Sequence, residues 1–270
     1  ALIVCVLATA FLLGPAVTKL SPIEYFTSPG LFGYIAKTLT LSSGSAPLPG
    51  MFETNAYAGY VNSSLWTLKY EVACYFGLAA LGAAGLFEQR WRWVVAVGLA
   101  ILVAMVSLSL PSDPADFGFV ENLRYFTVFF FGGVLAYLLR SHLPIVGGLL
   151  LPLFIVFAVS VHTPFAEVGA LLFLGYGALW AATKTFGPLR GLCNRFDTSF
   201  GIYIFAGPIQ QTLLSAFPSL PPLLIAGVAF IFVLPMAFVS WILIERPSLR
   251  LRPHVARLLK TRNGTVQLAG

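Results

Sequence analysis

Eight apolar runs alternate with polar connections along the chain, and they predict its secondary structure. Each run has at least the length of about 17 residues that a helix needs to cross a bilayer. Their approximate bounds are 1–18, 64–87, 93–110, 121–139, 145–162, 167–183, 198–217 and 222–244. The pattern therefore predicts an all-α fold, a polytopic transmembrane helix bundle of about eight spans.

The longest connection, residues 19–63, is rich in Gly, Ser, Pro and Asn. It holds one apolar patch, Gly30 to Leu41, which is too short to span a bilayer. We expect this segment to lie on the membrane interface or to fold back over the bundle, where it could shape a site. A plain connector is the alternative.

Composition supports the membrane assignment. Hydrophobic residues make up 58% of the 270 residues and charged residues 10%, whereas soluble domains carry about 25% charged residues. The mean hydropathy is +0.88. We therefore predict an integral membrane protein that is embedded in the lipid bilayer.

The positive charge is unevenly distributed, and this predicts topology rather than a nucleic-acid partner. If the connections alternate between two faces, one face receives 12 of the 16 basic residues. They are Arg90, Arg92, Arg140, Lys184, Arg190, Arg195, Arg246, Arg250, Arg252, Arg257, Lys260 and Arg262. Cytoplasmic loops collect Lys and Arg, so both termini are predicted to be cytoplasmic, with no role for nucleic acid in explaining the net charge of +6.

The start of the chain also carries an expectation. Ala1 lies inside an apolar run without a preceding Met, a basic flank or a small-residue cleavage site, so the run does not resemble a signal peptide. We expect a leading part of the natural protein to be missing.

Glu71 is the candidate catalytic residue. It follows Lys69 just inside a run that is otherwise apolar through Phe87, and a charge at bilayer depth costs on the order of 3 kcal/mol on insertion scales. In a helix, Thr67 and Tyr75 would share its face at i±4 spacing. The alternative is that Lys69 reaches the interface and Glu71 merely pairs with it or with a neighbouring helix.

Other polar residues join this candidate site on the predicted outer side. Arg124 could neutralise an anion or pair with Glu71, or it could be an interfacial anchor. The seventh run carries Tyr203, Pro208 and Gln210. Carbonyls left free near Pro208 could face a cavity, whereas the alternative is polar groups that hold helices together.

Neither cysteines nor histidines form a recognisable metal or disulfide site. Cys5, Cys74 and Cys193 are widely separated, with no CxxC pair. His142, His162 and His254 are assigned to an inner loop, an outer loop and the inner tail, so we predict no metal site. His162 could serve as a base on the Glu71 side, or it could simply end a helix.

Three stretches together resemble the acyltransferase-3 family of bacterial inner-membrane O-acyltransferases. They are N-S-S-L-W-T-L-K-Y-E at 62–71, F-D-T-S-F-G-I-Y-I-F-A-G-P-I-Q-Q at 196–211 and I-E-R-P at 244–247. The resemblance runs from Ala1 to about Pro247. It predicts a membrane acyltransferase domain over residues 1–247 and a basic cytoplasmic tail over 248–270.

The resemblance implies transfer of an acyl group, usually acetyl from acetyl-CoA or another acyl-CoA, to a hydroxyl of a cell-surface or lipid-linked carbohydrate, with no bound cofactor. Glu71 matches the family's carboxylate. The substrate-binding residues that we assign with it are Asn62, Trp66, Thr67, Arg124, Tyr203 and Gln210.

The family's catalytic histidine and arginine motif are not found in this sequence, and Ala206 stands where the family often has a histidine. The eight runs match the last eight of the family's ten spans, so we expect the chain to be inactive alone. Two other classes stay open: a glycolipid or polysaccharide transporter or flippase in which Glu71 carries protons, and a noncatalytic membrane scaffold.

Overall fold

The computed structural model describes residues 1–43, 46–109, 118–184, 196–251 and Pro253, with the side chain of Gln89 excepted. Throughout that part of the chain the regular structure is helical, without a strand, and this confirms the predicted fold class. Arg252, His254, Arg257, Lys260 and Arg262 of the predicted tail lie outside the described residues, as does Cys193.

Each of the eight apolar runs forms a helix. They are α1 (Leu2–Val17), α4 (Leu68–Ala83), α5 (Arg92–Leu108), α6 (Phe119–Leu138), α7 (Gly147–Ser160), α8 (Ala166–Thr183), α9 (Ser199–Ala216) and α10 (Pro222–Arg250). A 3₁₀ turn, Ser63–Thr67, leads into α4. The helix α10 continues past residue 247, where the tail was predicted to start.

Three helices in the described part are long and apolar enough to cross a membrane, namely α6, α8 and α10. The helices α1, α5 and α7 are apolar but shorter. On α10 the side chains of Leu223, Ile231 and Leu243 are exposed, as expected of a helix surrounded by lipid rather than water. The protein is therefore a membrane protein, while the count of eight spans and the side of each terminus stay predictions.

The connection 19–63 is more ordered than its composition indicated. It contains α2 (Pro22–Thr27) and α3 (Pro29–Leu39). A capping box begins α2: the Ser21 amide donates to Glu24 Oε2 at 2.9 Å, and the Glu24 amide donates to Ser21 Oγ at 3.4 Å. The Ser21 hydroxyl, which donates to Glu24 Oε2 at 2.8 Å, and then the Ser21 amide hold the pKa of the Glu24 carboxyl below its usual range. The apolar patch forms α3, which has 11 residues and is too short to span.

Contacts divide the chain into two compact units, Ala1–Thr67 with Gly191–Gly270, and Leu68–Arg190. In the first unit, α1, α2, α3 and the following loop bury an apolar core that includes Val6, Tyr25, Met51 and Val61. The Tyr25 hydroxyl donates to the Ala10 carbonyl at 2.8 Å. It fills the space that a side chain at Gly14 would need, so a glycine is required there.

The helices α9 and α10 form the other half of the first unit. A Cβ added at Gly201 would lie 2.8 Å from the Ala237 Cα, which shows how closely the two backbones approach. Lipid offers little hydrophobic driving force between helices, so close packing of small residues stabilises such pairs.

The second unit buries its own core between α5 and α6, with Leu99, Val103, Val128 and Phe131 at its centre. From the middle of α8 the Tyr176 hydroxyl accepts from the Val146 amide at 2.8 Å and donates to the Pro144 carbonyl at 2.7 Å. That phenol fixes the connection before α7.

Gly201→Ala tests the packing of α9 on α10. The new methyl group would overlap backbone that cannot move aside, so we expect a loss of about 1 to 3 kcal/mol, as for overpacked cores. Gly227→Ala is the matched control, because a Cβ there meets nothing within 4 Å and alanine favours helix. Unfolding in detergent should separate the two variants; equal stabilities would contradict the close approach.

Tyr25 predicts a dependence of stability on alkaline pH. Burial raises the pKa of its phenol to about 12, from an ordinary value of about 10. A raised folded-state pKa stabilises the protein fully below about pH 10, and this contribution is lost as the pH rises toward 12.

We therefore expect the free energy of unfolding to fall less steeply over that range in Tyr25→Phe than in the wild type. Some slope should remain, because burial also raises the pKa of Tyr34. Denaturant titrations at several pH values measure both slopes, and identical slopes would refute the assignment to Tyr25.

Candidate functional site

A proline inside α9 leaves one backbone carbonyl without its helical partner. In a helix the carbonyl of residue 204 accepts from the amide of residue 208. Pro208 has no amide hydrogen, so Ile204 O must find another donor. A bare carbonyl in an apolar interior costs several kcal/mol, and the surrounding side chains therefore determine whether this helix is stable.

Two side chains from distant parts of the chain supply that donor. The Asn62 carboxamide donates through Nδ2 to Ile204 O at 2.6 Å, and the Cys5 thiol donates to the same oxygen at 3.2 Å. Asn62 is only 2% exposed. The carbonyl freed by Pro208 is thus satisfied by protein groups rather than by a cavity.

Asn62 can reach this carbonyl because residue 207 is a glycine. A Cβ at Gly207 would overlap the Asn62 Oδ1 and would stand 3.0 Å from its Cγ and 3.1 Å from its Cα. The Oδ1 atom itself is buried without a hydrogen-bond partner in the described part of the protein. The close approach thus fixes the carboxamide by packing on one side and by hydrogen bonding on the other.

Tyr203 holds the 3₁₀ turn Ser63–Thr67 against α9. Its hydroxyl lies 2.6 Å from Thr67 Oγ1 and also donates to the Ser64 carbonyl. Asn62, Thr67 and Tyr203 therefore lie in one hydrogen-bonded region of the first unit, although the sequence places Tyr203 about 140 residues from the other two.

A cavity of about 550 Å³ opens beside this region. Its walls combine polar and apolar side chains. They consist of Ala56, Tyr57, Ser63, Gly207, Gln210, Gln211, Leu214, Pro218, Leu220, Pro222, Ile225 and Ala226. The volume lies within the range of about 300 to 1,000 Å³ that is usual for small-molecule sites.

The two neighbouring amides of α9 have different surroundings. Gln210 is exposed and lines the cavity. Gln211 is buried: its Nε2 donates to the carbonyls of Tyr60 at 2.8 Å and Tyr57 at 3.1 Å, and its Oε1 accepts from Asn55 at 2.7 Å. Gln211 thus fixes the loop that forms one wall. In the sequence this role is indicated only by the two adjacent amides that follow Pro208.

The remaining predicted residues fall in different places. Trp66 is 42% exposed and belongs to the 3₁₀ turn of the first unit. Glu71 lies in the first turn of α4, half-buried, and Arg124 is an exposed residue of α6; both belong to the second unit. His162 is exposed after the end of α7.

Within the described residues, no three His, Cys, Asp or Glu side chains are grouped as a metal site would need.

Comparison with known proteins bears on the chemistry. The chain is 27% identical over 261 residues to an O-acetyl transferase of Shigella phage Sf6, in an alignment that covers 91% of this chain and 72% of that protein. No family model matches the sequence, and no solved structure matches it. The relative supports an acyltransferase enzyme with O-acetyltransferase activity, at modest identity.

The pairing of Asn62 with the Ile204 carbonyl can be tested by a double substitution. Asn62→Leu should destabilise the protein by about 1 to 3 kcal/mol, because a buried carbonyl loses its main donor. Pro208→Ala gives the helix back its own amide donor. The combined variant should therefore be more stable than the sum of the single effects predicts.

Unfolding of the wild type and the three variants in detergent measures this coupling. Strictly additive effects would show that Asn62 and Pro208 do not act on the same carbonyl.

Proposed function

We propose that the chain forms the membrane domain of an O-acyltransferase of the acyltransferase-3 family, in a bacterial inner membrane. It moves an acyl group, in most cases acetyl, from acyl-CoA to a hydroxyl of a cell-surface or lipid-linked carbohydrate. The observation that carries this proposal is the alignment with an O-acetyl transferase over 91% of the chain. The resemblance of residues 62–71 and 196–211 to the family agrees with it.

The hydrogen-bonded region of the first unit supports a role for those two motifs in one site. Tyr203 of the second motif contacts Thr67 and Ser64 of the first, and Asn62 contacts Ile204. These bonds fix the wall of the cavity on which Gln210 and Ser63 lie. A wall that is rigid before the substrate arrives costs less ordering when it binds.

The composition of that cavity suits a carbohydrate acceptor. The Gln210 carboxamide and the Ser63 hydroxyl can donate to and accept from sugar hydroxyls, while the Tyr57 ring offers an apolar face. Leu214, Ile225 and the prolines of the same lining suit a lipid-linked substrate. We assign the cavity to the acceptor on this basis.

In the reaction a base removes the proton of the acceptor hydroxyl as its oxygen attacks the thioester carbonyl. The carbon–sulfur bond then breaks, and the CoA thiol leaves with a proton. In this proposal the base is the histidine that the family resemblance implies, which none of the three histidines of this sequence matches. Glu71 orients that imidazole and stabilises its protonated form, and Arg124 offsets negative charge that develops on the carbonyl oxygen.

The proposed topology has eight spans with both termini in the cytoplasm. The eight apolar helices and the one-sided distribution of Lys and Arg support it. Acyl-CoA would then reach the protein from the face that carries most of the basic residues.

Glu71→Gln in the full-length protein tests the mechanism. Loss of the charge that stabilises an imidazolium should lower the rate of acetyl transfer by about 100-fold or more, as expected for acid–base catalysis. Membranes supplied with acetyl-CoA that carries a labelled acetyl group report transfer as covalent label on glycans. Glu88→Gln is the matched control, because Glu88 forms an exposed ion pair with Arg90 and such pairs contribute little.

Unimpaired transfer by Glu71→Gln would remove Glu71 from the mechanism. Absence of covalent label with the wild type, together with movement of a glycolipid across the bilayer, would instead identify a flippase.

A further inference from the structure

The second unit contains a larger cavity whose walls differ in kind from the one described above. Its volume is about 720 Å³. Most of its lining is apolar, and two guanidinium groups lie in it. The lining residues are Leu78, Gly82, Phe87, Arg92, Phe130, Gly133, Val134, Tyr137, Leu138 and Arg140.

Arg92 is held rigidly in this wall. Its Nε donates to the Leu138 carbonyl at 2.8 Å, and its Nη2 donates to the same carbonyl and to Ser141 Oγ at 2.9 Å. These bonds offset the negative end of α6, which would otherwise repel an anion. The Nη1 atom makes no hydrogen bond to the described residues, so it stays available to a ligand.

Arg140 is fixed by a neighbouring ring. Its Nη1 donates to the Tyr137 carbonyl at 3.0 Å, and its guanidinium carbon lies 4.2 Å from the centroid of the Tyr137 ring. Stacking on an aromatic face orients a guanidinium and leaves its other nitrogens free for hydrogen bonds.

Neither guanidinium has a carboxylate partner in the described part of the chain. The ion pair found there is between Arg90 and Glu88, at 2.9 Å. Two oriented cations without counter-charge in an otherwise apolar cavity favour an anion, and Arg forms its strongest paired hydrogen bonds with carboxylate and phosphate.

We propose that this cavity binds a phosphate group of an amphiphilic ligand, with the phosphate at Arg92 and Arg140 and the apolar part along Leu78, Phe130 and Val134. Two sources share this chemistry: the phosphates of a CoA thioester, and the headgroup of an anionic phospholipid. Phosphate binding goes beyond the proposed function, whereas its assignment to CoA rests on that function. Both arginines lie on the predicted cytoplasmic face, where either source is available.

A glycine in the wall allows the cavity to be filled without touching the arginines. A Cβ at Gly133 would meet nothing within 4 Å, so Gly133→Leu should occupy cavity space without overlap. Gly98→Leu is its matched control, since Gly98 has the same free surroundings on α5 and does not line the cavity.

Arg140→Gln removes one cation, and Arg90→Gln is the control for charge, because Arg90 lies two residues from Arg92 but outside the cavity lining. Arg92→Gln also removes a bond to the end of α6, so its melting temperature is measured alongside. These variants are made in the full-length protein and purified in detergent. Binding of CoA is measured by titration, and retention of phosphatidylglycerol from mixed vesicles by mass spectrometry.

If the ligand is CoA, Arg140→Gln should weaken its binding about tenfold or more, the value of one good charged contact. Gly133→Leu should weaken it as well, because the added side chain occupies space that the ligand needs, while both controls bind like the wild type. If the ligand is a phospholipid, the same two variants should lose phosphatidylglycerol and bind CoA unchanged. Wild-type affinity for both probes in both variants would overturn the proposal.

The two hypotheses fail separately. If the protein transfers acetyl groups but these substitutions change the binding of neither probe, the proposed function holds and the phosphate site is wrong. If Arg140→Gln and Gly133→Leu lose phosphatidylglycerol but the protein transfers no acetyl group, the phosphate site holds and the proposed function is wrong.

Discussion

The first unit depends on how one carbonyl is satisfied. Pro208 deprives Ile204 O of its helical donor, and Ile204 is fully buried, so the carbonyl needs a donor from within the protein. The protein replaces it with Asn62 and Cys5, which ties α1, the segment before α4 and α9 to a single oxygen. Gly207 is required because any larger residue would keep Asn62 away. A helix break thus becomes the point at which three parts of the chain are joined.

The need to hold helices together in lipid explains why several polar side chains of this protein lie at contacts between helices or between a helix and a loop. Burial of apolar surface does little to hold helices together in lipid, so small residues and hydrogen bonds do it instead. Gly201 lets α9 meet α10, Tyr176 ties the α7 connection to α8, and Gln211 fixes the loop over α9. Each of these is a specific contact within one of the two units.

The two cavities differ in the ligands that their chemistry suits. The cavity of the first unit has neutral amide and hydroxyl groups together with apolar side chains, as the proposed lipid-linked carbohydrate would require. The cavity of the second unit has two arginines in an apolar wall, which matches a phosphate on an amphiphile. The proposed transfer of an acyl group from a CoA thioester to a carbohydrate would use one site of each kind.

The sequence by itself determined the helices, because an apolar run of a given length has one stable form in lipid, and that property is local. It also pointed to residues 62–71 and 196–211. It could not show that Asn62 donates to Ile204, that Gln211 rather than Gln210 is the buried amide, or that Arg92 and Arg140 share a cavity. Those facts join residues 46 to 156 positions apart, and only the packing of helices decides which faces meet.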